Sequence, residues 1–351
     1  MTPNLGNPVG KCYFGAVIRF IVGTRPEAIK MLPILRVLTA RKVAFEVITT
    51  GQHTDLLIGT GLRAHRSLKL PGTNDPMRYA EQVKEAVLHD KAPNPKWVVV
   101  QGDTASAWGA CWGSVQRGIP VCHVEAGLRS GDLKDPWPEE HFRVCIDQLA
   151  LLKCCPTVGN LANLADEGLS EGAYVTGNTI VDALRQSGVV RKPGNHVLVT
   201  LHRREAFGEP LKAILAGLAT VAEQHPDTPF LWPVHPNPMV KEALEATALP
   251  VNVLTRPPLP YHGFLEFLAS AKAVLTDSGG VVEEAITLGV PICCARNHAE
   301  RPEAFSLPWN TLAGHDRVAE CLTATLNDTR AEPSEMFGDG HAAERIADLL
   351  T

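Results

Sequence analysis

The sequence lacks the short signatures that mark the commonest nucleotide, redox and metal chemistries. Its 351 residues contain no P-loop, no H-E-x-x-H and, despite nine cysteines, no C-x-x-C. The single G-x-G-x-x-[GA] match, at 59–64, follows an apolar run of helical character rather than a strand, so it fails the context that dinucleotide binding requires. These absences argue against a nucleoside triphosphatase, a zinc protease and a nicotinamide-dependent enzyme.

Long apolar runs and an excess of positive charge are also missing. No uninterrupted apolar stretch approaches the ~18 to 20 residues that span a bilayer, and the N-terminus has no basic segment followed by an apolar one. The 33 Lys+Arg and 38 Asp+Glu residues give a net charge of −5, which disfavours a surface built for nucleic acid or anionic lipid. Because the cysteine count is odd and most cysteines lie in apolar runs, we expect reduced core thiols and a cytoplasmic protein.

What the sequence does contain is a regular alternation of strand and helix patterns. Short β-branched runs alternate with stretches of helical period, including helices predicted at 28–40 and 76–89, the second with Asp75 as its N-cap. The predicted strands are 17–22, 45–50, 97–101, 121–125, 173–176, 196–200, 230–234, 251–254, 273–276 and 291–294. This alternation predicts an α/β protein with parallel sheets that are covered by helices on both faces.

A Gly- and Pro-containing segment at 187–195 interrupts the pattern near the middle of the chain and divides it into two halves, each with about five strands. We predict an arm at 1–15, a Rossmann-like domain at 16–187, a second one at 188–340, and a helix at 341–351 that packs back on the core. The fold class is therefore two doubly wound domains facing a cleft.

Ligands bind such sheets outside the carboxyl ends of the strands, and these positions are unusually polar here. Polar groups follow six strands, at 23–27, 102–104, 123–129, 202–205, 235–237 and 277–280. Asp103 alone could be a helix N-cap, which is the commoner use of Asp before a helix. Glu125 is harder to explain structurally, because an unpartnered carboxylate at the end of a core strand costs several kcal/mol.

The turn at Ser278-Gly279-Gly280 has a specific physical meaning. Two glycines at a helix N-terminus let backbone N–H groups approach an anion, and the helix dipole favours negative charge, so the turn can cradle a diphosphate. Glu284 lies one turn further on, within reach of a ribose diol. The alternative is a capped helix with acidic residues in its first turn.

Together these turns resemble the non-hydrolysing UDP-N-acetylglucosamine 2-epimerases over nearly the whole chain after residue 15. The matching strings, in the family's order, are GTRPEAIK (23–30), QGDT (101–104), HVEAGLRSGD (123–132), PWPEE (136–140), VTGNT (175–179), HRRE (202–205), PVHPNP (233–238), TDSGG (276–280) with Glu283-Glu284, and ERPE (300–303).

The resemblance implies the two-domain fold of GT-B glycosyltransferases and interconversion of UDP-GlcNAc and UDP-ManNAc in a homodimer without a redox cofactor or an essential metal. It implies that Asp103, Glu125 and Glu139 are the acidic catalytic group, with His202 as a further active-site residue. It also implies a set of substrate-binding residues. These are Arg25, Lys30, Phe264, Ser278, Gly279, Gly280, Glu284 and Arg301.

Several alternatives stay open at this stage. The sequence does not say which carboxylate is the base and which is the acid. The substrate could be another UDP-sugar, such as one with a 2,3-diacetamido uronic acid, or the enzyme could release free ManNAc by hydrolysis. A GT-B glycosyltransferase or a non-catalytic UDP-sugar-binding protein would share the fold. The segment at 52–55 keeps only the first Gln of the pair that allosterically activated members carry, which disfavours that regulation.

Overall fold

The computed structural model describes residues 17–51, 62–203, 206–234, 237–328 and 330–351. The chain forms two compact units. Unit 1 comprises the described residues up to Gln186 together with Gly338–Thr351, and unit 2 is Ser187–Phe337. The predicted arm at 1–15 and the segment at 52–61 lie outside the described residues.

Unit 1 is built around one parallel sheet. Its described strands are β1 (Ile18–Val22), β2 (Phe45–Thr49), β3 (Arg66–Ser67), β4 (Trp97–Gln101), β5 (Val121–Val124), β6 (Leu152–Cys155) and β7 (Ala173–Val175). Its described helices are α1 (Arg25–Ala40), α2 (Pro76–Leu88), α3 (Ala105–Gln116), α4 (Glu139–Leu149), α5 (Val158–Asp166), α6 (Thr179–Ser187) and α12 (Ala342–Leu350).

The strands of unit 1 lie in the order β3-β2-β1-β4-β5-β6-β7, and every pair is parallel. The apolar residues of β1 and β4 are buried on both faces of the sheet, in clusters with the helices, which explains their nearly continuous β-branched character. The strand order reverses between β1 and β4. The carboxyl ends of these two strands are therefore the expected ligand-binding edge of the unit.

The C-terminal helix α12 belongs to unit 1, although it follows unit 2 in the sequence. Ile346, Ala347 and Leu350 are buried in the same core cluster as the apolar face of α1. Asp182 accepts hydrogen bonds from the backbone amides of Ala343 (2.8 Å) and Ala342 (3.3 Å) at the start of α12. The amphipathic pattern of the last ten residues is thus explained by docking on α1.

Unit 2 repeats the architecture with a second parallel sheet, in the order β10-β9-β8-β11-β12-β13. Its described strands are β8 (His196–Thr200), β9 (Phe230–Pro233), β10 (Val253–Arg256), β11 (Ala271–Thr276), β12 (Ile292–Cys294) and β13 (Asn310–Leu312). Its described helices are α7 (Glu209–Gln224), α8 (Pro238–Glu245), α9 (Tyr261–Ser270), α10 (Gly279–Leu288), α11 (Val318–Asn327) and a 3₁₀ helix at Pro302–Ser306. The order reverses between β8 and β11, which again marks the ligand edge.

The predicted α/β class and the doubly wound order of the two sheets are confirmed. Asp75 caps α2 as predicted, accepting from the amides of Met77 (2.9 Å) and Arg78 (3.1 Å). Three strands were not predicted, β3, β6 and β13, because they are short or carry polar residues such as Lys153 and Asn310. No helix in the described ranges is long and apolar enough to cross a membrane.

Candidate functional site

The turn after β1 places Arg25 and Lys30 on α1. Thr24 is the N-cap of this helix, and Glu27 lies beneath the turn, accepting from the amides of Gly23 (2.8 Å) and Thr24 and from the Thr104 hydroxyl (2.6 Å). Burial raises the pKa of Glu27, although these hydrogen bonds oppose the shift. Glu27 therefore ties the turn after β1 to the turn after β4.

Glu125 lies directly after β5 and is held by two neighbours. The residue is only 6% exposed, and its Oε2 accepts hydrogen bonds from Lys30 Nζ and Gln101 Nε2. Its backbone has φ +73°, a left-handed conformation that costs about 1–3 kcal/mol for a residue other than glycine. This conformation ends β5 one residue earlier than predicted. A buried, strained carboxylate with a buried ammonium partner is the arrangement of a functional group rather than of a surface turn.

Asp103 lies after β4 and is bound by an arginine from α4. Arg143 donates to Asp103 Oδ2 from Nε (3.1 Å) and from Nη2, and its own side chain is 2% exposed whereas that of Asp103 is 27% exposed. The N-cap of α3 is Thr104, whose hydroxyl accepts from the Ala107 amide (3.0 Å). Asp103 is therefore not needed as a cap, and its carboxylate stays partly open to solvent.

Glu139 and Glu140 begin α4, and they differ in their surroundings. Glu140 is buried, accepts from Arg143 Nη1 (2.8 Å) and the Ser130 amide (2.9 Å), and so belongs to the support of Arg143. Glu139, the predicted catalytic residue, is only partly buried at the first position of the helix. Arg143 and Glu140 were missed from sequence, although their i, i+3 spacing was a signal for a pair.

In unit 2, Asp277 organises the turn after β8. It is buried at the end of β11, and its Oδ2 accepts from the backbone amides of His202 (2.8 Å) and Arg203 (2.9 Å). Its Oδ1 lies 3.0 Å from His202 Nδ1. Burial by itself would raise the pKa of Asp277, but His202 and the two amides lower it overall. The ring of His202, 38% exposed, thus lies with its Nδ1 beside the carboxylate of Asp277.

The start of α10 is the predicted diphosphate cradle. Ser278 is its N-cap, and Gly279 and Gly280 are its first two residues. A Cβ on Gly279 would lie 2.4 Å from Arg301 Nη1, whereas a Cβ on Gly280 would meet no atom within 4 Å. Position 279 therefore has to be glycine, because a side chain there would collide with Arg301. Gly280 leaves the N-terminus of α10 open to a ligand.

Arg301 is a buried cation held by two buried carboxylates. Its Nε donates to Glu283 Oε1 and its Nη1 to Glu300 Oε2 (3.1 Å). A pocket beside it is lined by residues of α10, β12, the 3₁₀ helix and the turn before that helix. They include Ser278, Gly279, Arg296, Glu300, Arg301 and Phe305.

Glu284 and Phe264, predicted to contact the nucleoside, lie on neighbouring helices. Glu284 is buried, and its Oε1 accepts from the Tyr261 hydroxyl (2.7 Å). Burial and this carboxylate raise the pKa of Tyr261, so the phenol stays a donor. Phe264 is partly buried on α9, one turn beyond Tyr261.

The structure brings Lys30 and Glu125 together in unit 1, and Ser278, Gly279 and Arg301 together in unit 2. Several residues of the matching strings lie outside the described residues, namely Arg204, Glu205, His235 and Pro236. Gln52 of the segment at 52–55 also lies outside them. Among the residues that are described, no group of three or more His, Cys, Asp or Glu side chains could hold a metal ion.

Two doubly wound units, each with its polar side chains at the switch point of its sheet, define an α/β protein of the GT-B type. Comparison with known proteins then identifies the family. The model of the family described as UDP-N-acetylglucosamine 2-epimerase matches residues 36–351. The chain belongs to this family, as its strings predicted.

Relatives match it over nearly their whole length. The UDP-N-acetylglucosamine 2-epimerase of Yersinia pestis is 35% identical over 369 residues, which cover 94% of this chain and 97% of the relative. The crystal structure of UDP-GlcNAc 2-epimerase from Neisseria meningitidis, bound to UDP-GlcNAc, has a TM-score of 0.87 at 30% identity and covers 95% of this chain and 99% of its own. The enzyme from Methanocaldococcus jannaschii, in complex with UDP-GlcNAc and UDP, has a TM-score of 0.84 at 31% identity, with coverage of 95% and 99%.

Proposed function

We propose that the protein is a non-hydrolysing epimerase that interconverts UDP-GlcNAc and UDP-ManNAc by inversion at C2. The observation that carries the proposal is Glu125, a buried carboxylate in a left-handed backbone conformation, paired with the buried Lys30. Membership of the family and the structures of relatives with UDP-GlcNAc support the substrate class.

The chemistry explains the need for carboxylates. The C2–H of a pyranose has no neighbouring carbonyl, so simple deprotonation is too difficult. If UDP departs from C1, the developing oxocarbenium charge acidifies C2–H, and a carboxylate can take that proton to leave a glycal and UDP. Protonation of C2 on the opposite face and return of UDP to C1 complete the epimerisation.

In this proposal the carboxylates of unit 1 carry the proton transfers. Asp103 and Glu125 follow neighbouring strands of one parallel sheet, each with a cationic partner, Arg143 or Lys30. Each partner places a positive charge beside its carboxylate, and we assign these carboxylates to accept and return the proton at C2. Glu139, at the start of α4, is proposed as the third member of this acidic group.

Unit 2 is proposed to hold the UDP leaving group. The open N-terminus of α10 at Ser278 and Gly280 and the guanidinium of Arg301 supply dipolar and cationic stabilisation for the diphosphate. Arg25 and Lys30 of unit 1 are proposed as further substrate-binding residues. We assign Glu284 to the ribose, Phe264 to the uracil and His202 to the reacting sugar. Preorganised groups of this kind are worth about 3–4 kcal/mol each where they have been removed singly from enzymes.

We further propose a cytoplasmic homodimer. All cysteines in the described ranges are free thiols, and seven of these eight are buried, which suits a reducing compartment. Sedimentation equilibrium of the purified protein tests the oligomer: a mass twice 37.9 kDa is expected, and a single chain mass contradicts it.

The function is tested by incubation of the purified protein with UDP-GlcNAc in D2O. Deuterium at C2 and formation of UDP-ManNAc are expected. No exchange at any enzyme concentration contradicts the proposal, and free ManNAc with UDP would identify a hydrolysing enzyme instead. A panel of other UDP-sugars in the same assay decides the substrate, and transfer to an acceptor without C2 exchange would indicate a glycosyltransferase.

A further inference from the structure

His123 is a fully buried histidine within β5 that the proposed chemistry does not use. Its side chain has no exposed surface, and it lies two residues before Glu125. The neighbouring Val121 packs in an apolar cluster of the sheet and α3. An ionisable ring at such a position requires specific partners.

Both ring nitrogens have a partner that accepts hydrogen bonds. Nδ1 lies 2.6 Å from Asp147 Oδ1, and Nε2 lies 2.8 Å from the carbonyl oxygen of Gly102. A backbone carbonyl has no proton to give, so Nε2 must carry one. The state of Nδ1 then depends on whether Asp147 is ionised.

The other oxygen of Asp147 shows that the carboxyl is ionised. Its Oδ2 accepts from Arg129 Nη1 (2.7 Å) and from the Gly127 amide (3.1 Å). An ionised carboxylate only accepts, so Nδ1 of His123 also carries a proton.

Other titratable groups surround His123 and Asp147. Arg129 also pairs with Glu167, the residue directly after α5 (2.7 Å), and so lies between two carboxylates. Lys153 of β6 faces Asp147 as well and donates to the carbonyl of Glu171 (2.7 Å). The thiols of Cys111 and Cys155 have pKa values that burial raises, so they add no charge at neutral pH.

We propose that His123 is held as an imidazolium and is a positioning residue for the two turns that carry Asp103 and Glu125. Through Nε2 it fixes the carbonyl of Gly102, directly before Asp103. Through Asp147 it is linked to the amide of Gly127, two residues after Glu125. One buried network therefore sets the separation of the two carboxylates, and a displacement of about 1 Å in such a site costs about 100-fold in rate.

The protonation state is tested by NMR of protein labelled with [15N]histidine. Because each ring nitrogen faces an acceptor, we expect both nitrogens of His123 to carry protons. His123→Gln assigns the signals by their loss, and Asp147→Asn assigns them by their shift if the first variant does not fold. His196 is the internal control: it has a single carbonyl partner, Phe267 (3.0 Å), and burial lowers its pKa. A neutral ring at His123 overturns the proposal.

The positioning role rests on the proposed function and is tested by Asp147→Asn, which keeps the shape and removes the charge. We expect kcat for C2 exchange to fall about 10- to 100-fold, with KM for the UDP-sugar nearly unchanged. His196→Gln, in unit 2, is the matched control and should keep its kcat. A loss of kcat no larger than the loss of folded protein overturns the positioning role. If the wild-type protein shows no C2 exchange, the proposed function fails. The NMR result still decides whether His123 is protonated on both ring nitrogens.

Discussion

The two glycines at the start of α10 should respond in opposite ways to the same substitution. An alanine Cβ at position 279 would lie 2.4 Å from Arg301 Nη1, about 1 Å closer than van der Waals contact allows. Arg301 is buried and bound to Glu283 and Glu300, so it cannot move without weakening an ion pair. Overpacking of this size destabilises by about 1–3 kcal/mol.

Gly280→Ala is the matched control, because it adds the same methyl group one residue later, where no atom lies within 4 Å. Here the gain in helix propensity should stabilise the protein by up to about 1 kcal/mol. Differential scanning calorimetry without ligand measures both, since 1 kcal/mol shifts Tm by about 2–4 °C in a unit of this size. Gly279→Ala should lower Tm and Gly280→Ala should not. Equal shifts in the two variants would refute the distinct roles assigned to these glycines.

Calorimetric titration tests whether the start of α10 binds the diphosphate. Gly280→Ala should weaken UDP binding although the fold is intact.

Three further predictions concern the carboxylates. Glu125→Gln removes the charge that Lys30 faces, so the rate of C2–H exchange should fall about 10²- to 10⁴-fold. The affinity for UDP, measured by titration calorimetry, should be retained. An unchanged rate of exchange would exclude Glu125 from proton transfer. Arg143→Lys removes the planar guanidinium that binds Asp103. We expect kcat to fall about tenfold while the affinity for UDP is unchanged. A kcat equal to that of the wild type would show that this pair is dispensable. Because the folded-state pKa of Asp277 is depressed, its stabilising contribution is present above the ordinary Asp value of 3.8 and is lost as pH falls through the folded value. The Tm of Asp277→Asn should therefore depend less on pH below about 4 than that of the wild type, and parallel profiles would contradict this linkage.

The sequence predicted the strands that carry the site better than it predicted the partners of the site residues. Glu125 and Asp103 could be identified because polar residues at the ends of apolar strands of a parallel sheet share one edge. Their partners are contributed by other elements: Arg143 is 40 positions from Asp103, and Lys30 is 95 from Glu125. Local patterns carry no information on such pairs.

The same limit applies to conformation and to short strands. The left-handed backbone of Glu125 was not predicted, since only glycine and asparagine commonly signal it, and the strand was extended by one residue as a result. Strands β3 and β13, of two and three residues, are stabilised by neighbouring strands rather than by their own apolar pattern. The roles assigned to the site residues stay predictions until variants are measured.

Cleavage of the bond between C1 and the diphosphate is the central claim, and an isotope in the bridging oxygen tests it directly. UDP-GlcNAc labelled with ¹⁸O between C1 and the β-phosphorus is incubated with the enzyme, and the label is followed by ³¹P NMR. If UDP departs and returns, the β-phosphate can rotate in the site, and the label should move into its non-bridging positions while UDP-ManNAc forms. Epimerisation with the label confined to the bridge would contradict elimination of UDP.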